Sequence, residues 1–306
     1  MAARSTPHAG PDEGSHGSPD EDPYADPHTG PHEHPDESPQ EYPGADPDEG
    51  PHAGAPQYPG VLDRALAVLS CFTEDEPELT AAELVERTGL ASSTLHRLVT
   101  MLVERELLVR LPGRGLAIGA RLWEIGELSP LAVRLRERAI PHLMRLYEVT
   151  GENVHLGVLD GPPERATVLY VGRVTGRRSI PTVSRAGGRG PLHTTGVGKA
   201  LLAGCEEAWL ERYFAARPLL RETTHSITDE GRLRADLAAG RARGYWRTQE
   251  EMTLGNVSIA AALPGVLGLP PIALGVVVHL ERADERLLAM LVQQAAREIF
   301  AEVRSL

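Results

Sequence analysis

The stretch Thr80–Arg105, TAAELVERTGLASSTLHRLVTMLVER, decides the fold, because two short amphipathic helices meet in it at a glycine turn. Thr80 and Glu83 form a T-x-x-E capping box that opens the first helix. Ala82, Leu84 and Val85 are expected to face a core, and Arg87 and Gly89 to end the helix. Leu90 and Ala91 complete the turn. In the second helix Leu95, Leu98, Val99 and Leu102 recur at i, i+3, i+4 and i+7, which places them on one face. The other face is polar: Ser93, His96, Arg97 and Thr100 form a stripe, with Ser92 and Thr94 at the helix start. Hydroxyls and backbone N–H groups at a helix start bind phosphate, and arginine forks onto a guanine edge, so the pattern suits a helix laid in a major groove. The plainer alternative is a helical hairpin with a solvated face.

The flanks favour the first reading. Upstream, VLDRALAVLSCFTE sets Leu62, Ala65, Leu66 and Leu69 on one helical face, so three helices can close a small core. Downstream, LLVRLPGRGLAIG reads as two strands around a Pro-Gly-Arg-Gly turn, a hairpin bearing Arg110 and Arg114. Three helices and such a hairpin make a winged helix-turn-helix. Between Ala91 and Arg121 lie five arginines (97, 105, 110, 114, 121) against Glu104 and Glu106, the balance expected of a nucleic-acid-binding surface.

The net charge of −12 over 306 residues does not argue against this. Residues 1–57 hold thirteen acidic residues and one basic residue, Arg4, and account for all of that charge. From Pro19 to Pro51 a proline recurs every fourth residue, and six of the twelve histidines lie in this tail. Such a segment cannot bury enough apolar surface to offset the entropy of ordering, so 1–57 is expected to be a disordered, extended spacer. A tail of this charge can also compete with DNA for the arginine-rich wing. The whole chain is 41% hydrophobic, and the part after the tail is long enough for about two domains. Cys71 and Cys205 have neither metal-ligand nor disulfide-framework spacing, and no apolar run reaches membrane-spanning length. A reducing, cytoplasmic setting is the expectation.

Segment 121–150 reads as mostly helical, with Leu122, Trp123 and Ile125 followed by a restart at Ser129-Pro130. A stripe of Leu135, Ala139, Leu143 and Leu146 continues it, with a kink at Pro141 and an end at Gly151. A linker helix at 121–133 is expected to contribute to a dimer. From Asn153 the texture changes. NVHLGVLD, ATVLYVGRV, SIPTVSR, YWRTQ, VSIAAAL and PIALGVVVHL read as strands. Helices are expected at about 195–203, 206–217 and 228–244, and a terminal one from Asp284 to Val303. Strands in runs with helices between them point to an α+β antiparallel sheet domain over 134–306, following the winged module at 58–120.

Catalytic chemistry finds little support. Gly198-Lys199 fails as a phosphate loop, since His193 stands at the first glycine and Ala200 at the magnesium-holding hydroxyl. No nucleophile elbow, H-E-x-x-H or C-x-x-C occurs, so neither catalytic residues, metal nor cofactor is expected. His142 and His155, on apolar elements, read as core or surface residues. Thr194, Thr195 and Gly196 lead into a helix whose first-turn N–H groups favour a small anion such as a carboxylate. A small-molecule-processing enzyme with a helical dimerisation N-terminus stands as the alternative function.

Three stretches, GLASSTLHRLVTMLVERELL, SRAGGRGPLHTTGVGKALLA and ARGYWRTQEEMTLGNVSIAAAL, resemble the IclR family of bacterial transcriptional regulators, over nearly all of residues 58–306. The resemblance implies a winged helix-turn-helix, a linker helix and a GAF-like effector-binding domain. It also implies a regulator, often a repressor, that binds double-stranded operator DNA as a homodimer or homotetramer and answers to a small carboxylate. By position, that carboxylate meets Thr195, Gly196 and Val197, and Thr248, Ser258, Gly275 and Val277 form the opposite wall. Thr248 stands where the family often has an acid, Ser258 where it often has cysteine, and Gly275 and Val277 where small hydroxyl residues occur. These departures disfavour glyoxylate-like or heavily hydroxylated ligands and point to a larger or more apolar acid, aromatic ones included. Glu106 stands where a glycine often precedes the wing.

Overall fold

The computed structural model of the protein describes residues 60–175, 186–216 and 218–305. The acidic tail and the strand expected over SIPTVSR lie outside the described residues.

The winged module is built as the opening stretch suggests. Helix α1 (Val61–Leu69) precedes α2 (Ala81–Thr88) and α3 (Ser92–Glu104). The capping box closes reciprocally: Thr80 Oγ1 accepts from Glu83 N–H at 3.3 Å, and Glu83 Oε2 accepts from Thr80 N–H at 2.7 Å. Gly89 ends α2 in the left-handed region, φ 65°. Leu84, Leu95, Leu98, Val99 and Leu102 are buried together with Val68, Leu108 and Leu116. Each such side chain contributes roughly 1.5–3 kcal/mol by leaving water. Two expectations are corrected here. Ala82 is exposed, and the inward position of α2 is taken by Thr88, whose hydroxyl bonds Leu84 O at 2.6 Å. In α1 the core side chain is Val68, with Ala65 and Leu69 beside it, whereas Leu62 and Leu66 are exposed.

The wing holds three strands rather than two. β1 (Glu78–Leu79) pairs with β3 (Leu116–Ile118), which pairs in turn with β2 (Leu108–Arg110), all antiparallel. Glu106, before β2, has φ 59°, a left-handed conformation that explains why a glycine suits this position.

After α4 (Ala120–Glu127) a π-helical turn over Leu131–Arg136 leads into α5 (Glu137–Thr150). Helix α5 continues through Pro141 and ends at Gly151, φ 68°. Leu135, Ala139, Leu143 and Leu146 are buried, as their spacing requires.

The remaining strands are β4 (Asn153–Asp160), β5 (Thr167–Val174), β6 (Arg189–Gly190), β7 (Trp246–Gln249), β8 (Asn256–Ala262) and β9 (Ile272–His279). They form one antiparallel sheet in the order β6-β5-β4-β9-β8-β7. Strand alternation gives the sheet two faces. Val154, Leu156, Val257, Ile259, Leu274 and Val276 pack with α5 and the terminal helix α9 (Glu285–Val303). Val168, Tyr170, Ala260 and Ala273 pack with α6 (Gly196–Leu202), α7 (Glu207–Ala216) and α8 (Glu230–Arg243). The result is a helical layer on each side of a sheet, an α+β domain.

Candidate functional site

Two places in the described residues concentrate unspent polar chemistry. The first is the outer edge of α3. Its N-cap is Ala91, which has no side-chain hydrogen bond to offer, so the first turn keeps its N–H groups for an external partner. Ser92, Ser93, His96 and Arg97 are exposed, and Thr94 and Thr100 half-buried. Thr100 Oγ1 donates to His96 O at 2.9 Å. Arg110 and Arg114 are exposed on the wing, where Gly113 (φ 84°) and Arg114 (φ 78°) turn the chain. Of the five arginines in this region, Arg121 pairs with Glu124 at 2.8 Å and Arg105 lies 3.9 Å from Glu104. Arg97, Arg110 and Arg114 have no acidic partner among the described residues. All eight residues expected from the sequence to face DNA thus lie on α3 and the wing, six of them exposed.

The second place is a cavity between α6 and the sheet, open to solvent at its mouth. Thr195 caps α6: its Oγ1 accepts from Gly198 N–H at 3.1 Å and donates to Pro191 O at 2.7 Å. The first turn of α6 lies directly on β8, because a Cβ at Gly196 would stand 2.5 Å from Ser258 Oγ. The cross-strand partners of Ser258, Thr248 on β7 and Val277 on β9, continue the floor. Thr195, Gly196, Val197, Thr248, Ser258 and Val277 all line the cavity. Gly275 does not. Its missing side chain accommodates Val197 instead, whose Cγ2 would lie 2.9 Å from a Cβ there, so Gly275 seats the helix rather than opening to the cavity.

Sequence reasoning missed much of the wall: His155, Tyr170, Arg189, Glu251 and Asn256 also line it. His155 is buried, set edge-on to Tyr170 with ring centroids 5.5 Å apart. Burial, with Arg173 nearby, pushes its pKa down to about 3, so it is neutral at pH 7. Burial raises Tyr170 to about 12, partly offset by a hydrogen bond with the Thr195 side chain. Arg189 bonds Asp160 Oδ2 at 2.6 Å and Thr167 Oγ1 at 2.7 Å.

Behind the cavity, Lys199 of α6 is fully buried. Its Nζ lies 2.7 Å from both Asp236 Oδ2 on α8 and Glu251 Oε1 on the β7–β8 connection. Burial pushes the Glu251 carboxyl above its usual range, and the Lys199 charge opposes that shift. Lys199 therefore holds α6, α8 and the cavity wall together, a role with no trace in a phosphate-loop comparison. The connection is itself constrained, with Glu250 at φ 56° and its Oε1 accepting from Gly255 N–H at 2.8 Å. Asn256 had a legible signal, since it lies two residues before Ser258 on the same strand face. Glu251, in a loop, had none. Among the described residues no group of three His, Cys, Asp or Glu is placed to hold a metal, and no helix is long and apolar enough to cross a membrane.

Two family profiles match the chain. The IclR helix-turn-helix domain covers residues 61–112, and the profile described as bacterial transcriptional regulator IclR C-terminal covers residues 131–301. The chain belongs to the IclR family. It is 36% identical over 253 residues to the HTH-type transcriptional regulator BhcR of Paracoccus denitrificans, spanning 78% of this chain and 85% of that protein. It is 31% identical over 205 residues to the transcriptional repressor IclR of Escherichia coli, spanning 66% and 73%. Among solved structures it resembles an IclR homolog from Microbacterium hydrocarbonoxydans complexed with 4-hydroxybenzoate. That match has a TM-score of 0.74 at 30% identity and covers 81% of this chain and 100% of the other. This IclR-family chain is therefore a transcriptional regulator with a helix-turn-helix domain, and the enzyme alternative finds no support among its relatives.

Proposed function

We propose that the protein is a one-component repressor that binds double-stranded operator DNA as a homodimer or homotetramer and whose operator affinity is shifted by a small organic acid. The observation that carries this reading is the pairing of an unspent polar edge on α3 with a lined cavity beneath α6. DNA contact falls to Ser92, Ser93, Thr94, His96, Arg97 and Thr100 in the major groove and to Arg110 and Arg114 on the wing. The winged module spans 58–120, the linker helix 121–133 and the effector domain 134–306. Exposed Trp123, Ile125 and Leu128 at α4 support self-association through the linker.

In the cavity the acid group sits against the first turn of α6. The N–H of Gly198 is already bonded to Thr195 Oγ1, so the acid meets Thr195, Gly196 and Val197, while Thr248, Ser258 and Val277 carry its body. The absence of an acid at position 248 and the structural relative bound to 4-hydroxybenzoate favour a ring-sized acid. Binding shifts DNA affinity only as far as the acid prefers one arrangement of the dimer over the other.

Selection of DNA fragments by the full chain, with and without a panel of aliphatic and aromatic acids, tests this. The expected product is a palindromic site with half-sites about one helical turn apart, whose recovery changes with one class of acid. Failure to enrich any sequence, or enrichment indifferent to every acid, overturns the proposal.

A further inference from the structure

A further pocket opens at the edge of the sheet, where β7 is paired on one side only. Its walls follow from two periodicities. Arg232, Asp236 and Arg243 lie at i, i+4 and i+11 along α8, so one stripe of that helix carries all three. On β7, Trp246 and Thr248 are buried, and Arg247 and Gln249 alternate with them onto the other face. Glu285, in the first turn of α9, Glu251 and the exposed His225 complete the polar lining. Among the described residues the pocket's three acids are all engaged. Asp236 Oδ2 and Glu251 Oε1 each lie 2.7 Å from Lys199 Nζ. Glu285 Oε1 accepts from Tyr245 O–H at 2.7 Å, and its Oε2 lies 3.3 Å from Arg247 Nε. The arginines of α8 divide in two. Arg234 bonds Glu230 at 2.7 Å and also Glu207, and Arg241 donates to Ala203 O at 2.6 Å; neither lines the pocket. Arg232 and Arg243 do line it, are exposed, and have no acidic partner among the described residues. Arg243 lies 5.4 Å from the centre of the Tyr245 ring, a contact that orients the guanidinium without cancelling its charge.

A guanidinium presents its N–H groups as a fork that matches two oxygens of a phosphoryl group, and unpaired arginines gathered in one concavity suit such an anion. We infer that this pocket is a second ligand site, one that takes the phosphoryl group of inorganic phosphate or of a small phosphate ester. Arg232 and Arg243 hold its oxygens. Arg247, kept in place by Glu285 and by Gln249 Oε1, adds a third positive charge beside them. Counted with Lys199, four cations face three carboxylates, and the anion meets the surplus. Glu251 lines both this pocket and the cavity beneath α6, so the two sites adjoin. The phosphoryl site does not depend on the reading of that cavity as an acid site, since none of these three arginines lines the cavity.

Calorimetric titration of the full chain, in chloride buffer at constant ionic strength, tests the inference with inorganic phosphate, glycerol 3-phosphate and glycerol as probes. At least one of the two phosphates is expected to bind saturably, one per chain, and glycerol not at all; the tighter of the two tells free phosphate from an ester. Arg232→Gln/Arg243→Gln should weaken that binding about tenfold or more. Both side chains are exposed, so the urea midpoint of this variant should match that of the wild type. Arg97→Gln/Arg110→Gln/Arg114→Gln, which strips cations from α3 and the wing, should bind phosphate as the wild type does. Absence of saturable phosphate binding to the wild-type protein, which needs no variant to fold, overturns the inference. So does binding that survives in the α8 variant, including the case in which only the α3 and wing variant loses it, since the phosphate then sits on the DNA-facing surface.

Discussion

The two halves of the chain treat a cation in opposite ways. On α3, Arg97 stands in water with no acidic partner among the described residues, on a helix whose apolar side alone holds the module together. On α6, Lys199 is wholly buried between Asp236 and Glu251 and helps to hold the helix itself. A surface that meets a polyanion must keep its charge unspent until the partner arrives. A cavity wall must settle its charges in advance, or the desolvation cost falls on the ligand. Removing a cation therefore costs binding in one half and folding in the other.

The largest effect expected from that contrast is at Lys199. Lys199→Met leaves two carboxylates facing one another at the back of the cavity, and urea denaturation should show a loss of about 3–5 kcal/mol. A variant as stable as the wild type would mean that the buried pairs are dispensable, and the contrast would dissolve. Next is Arg97→Ala, which should leave the denaturation midpoint unchanged yet weaken specific DNA binding by about 1–3 kcal/mol and relax sequence preference. Gel shifts on a selected operator measure it, and wild-type affinity would count against α3 as the reading helix. Smallest is Glu106→Gly. Relief of a left-handed side chain, partly cancelled by glycine's greater unfolded-state entropy, should raise stability by under about 1 kcal/mol. A destabilised variant would show that the Glu106 side chain is needed before the wing.

The winged module was the more legible half, because its determinants are local. A capping box, a left-handed glycine and an i, i+3, i+4, i+7 stripe each act between near neighbours, and Thr80, Gly89 and Leu95–Leu102 take the places their spacing demands. Local pattern misled where two faces of a short helix are both apolar. Leu62 and Leu66 of α1 read as well as Val68, and only the position of α2 and α3 decides which is covered. Strand β1 escaped notice because two residues carry no alternation, and β6 for the same reason.

The cavity was legible only where a helix start announced it. Thr195, Gly196 and Val197 are consecutive, and the rest of the wall is assembled from β4, β5, β6, β7, β8, β9, Pro191 and the β7–β8 connection. His155 reads as a core or surface histidine from its strand; it is buried, and the sheet turns it toward Tyr170 and the open space. Glu251 looks like one of two exposed acids in a loop until Lys199 is brought to it.

By itself the sequence determined the helices and the longer strands and which side of α3 stays wet, and its resemblance to the IclR family implied a regulator's two modules. The helices and strands follow from periodicity and capping, which are forces between near neighbours. Only the tertiary structure decided that Gly275 seats a helix rather than facing a ligand and that Lys199 joins three elements. Each of those depends on which distant strand or helix lies within hydrogen-bond or van der Waals reach, and the order β6-β5-β4-β9-β8-β7 sets that.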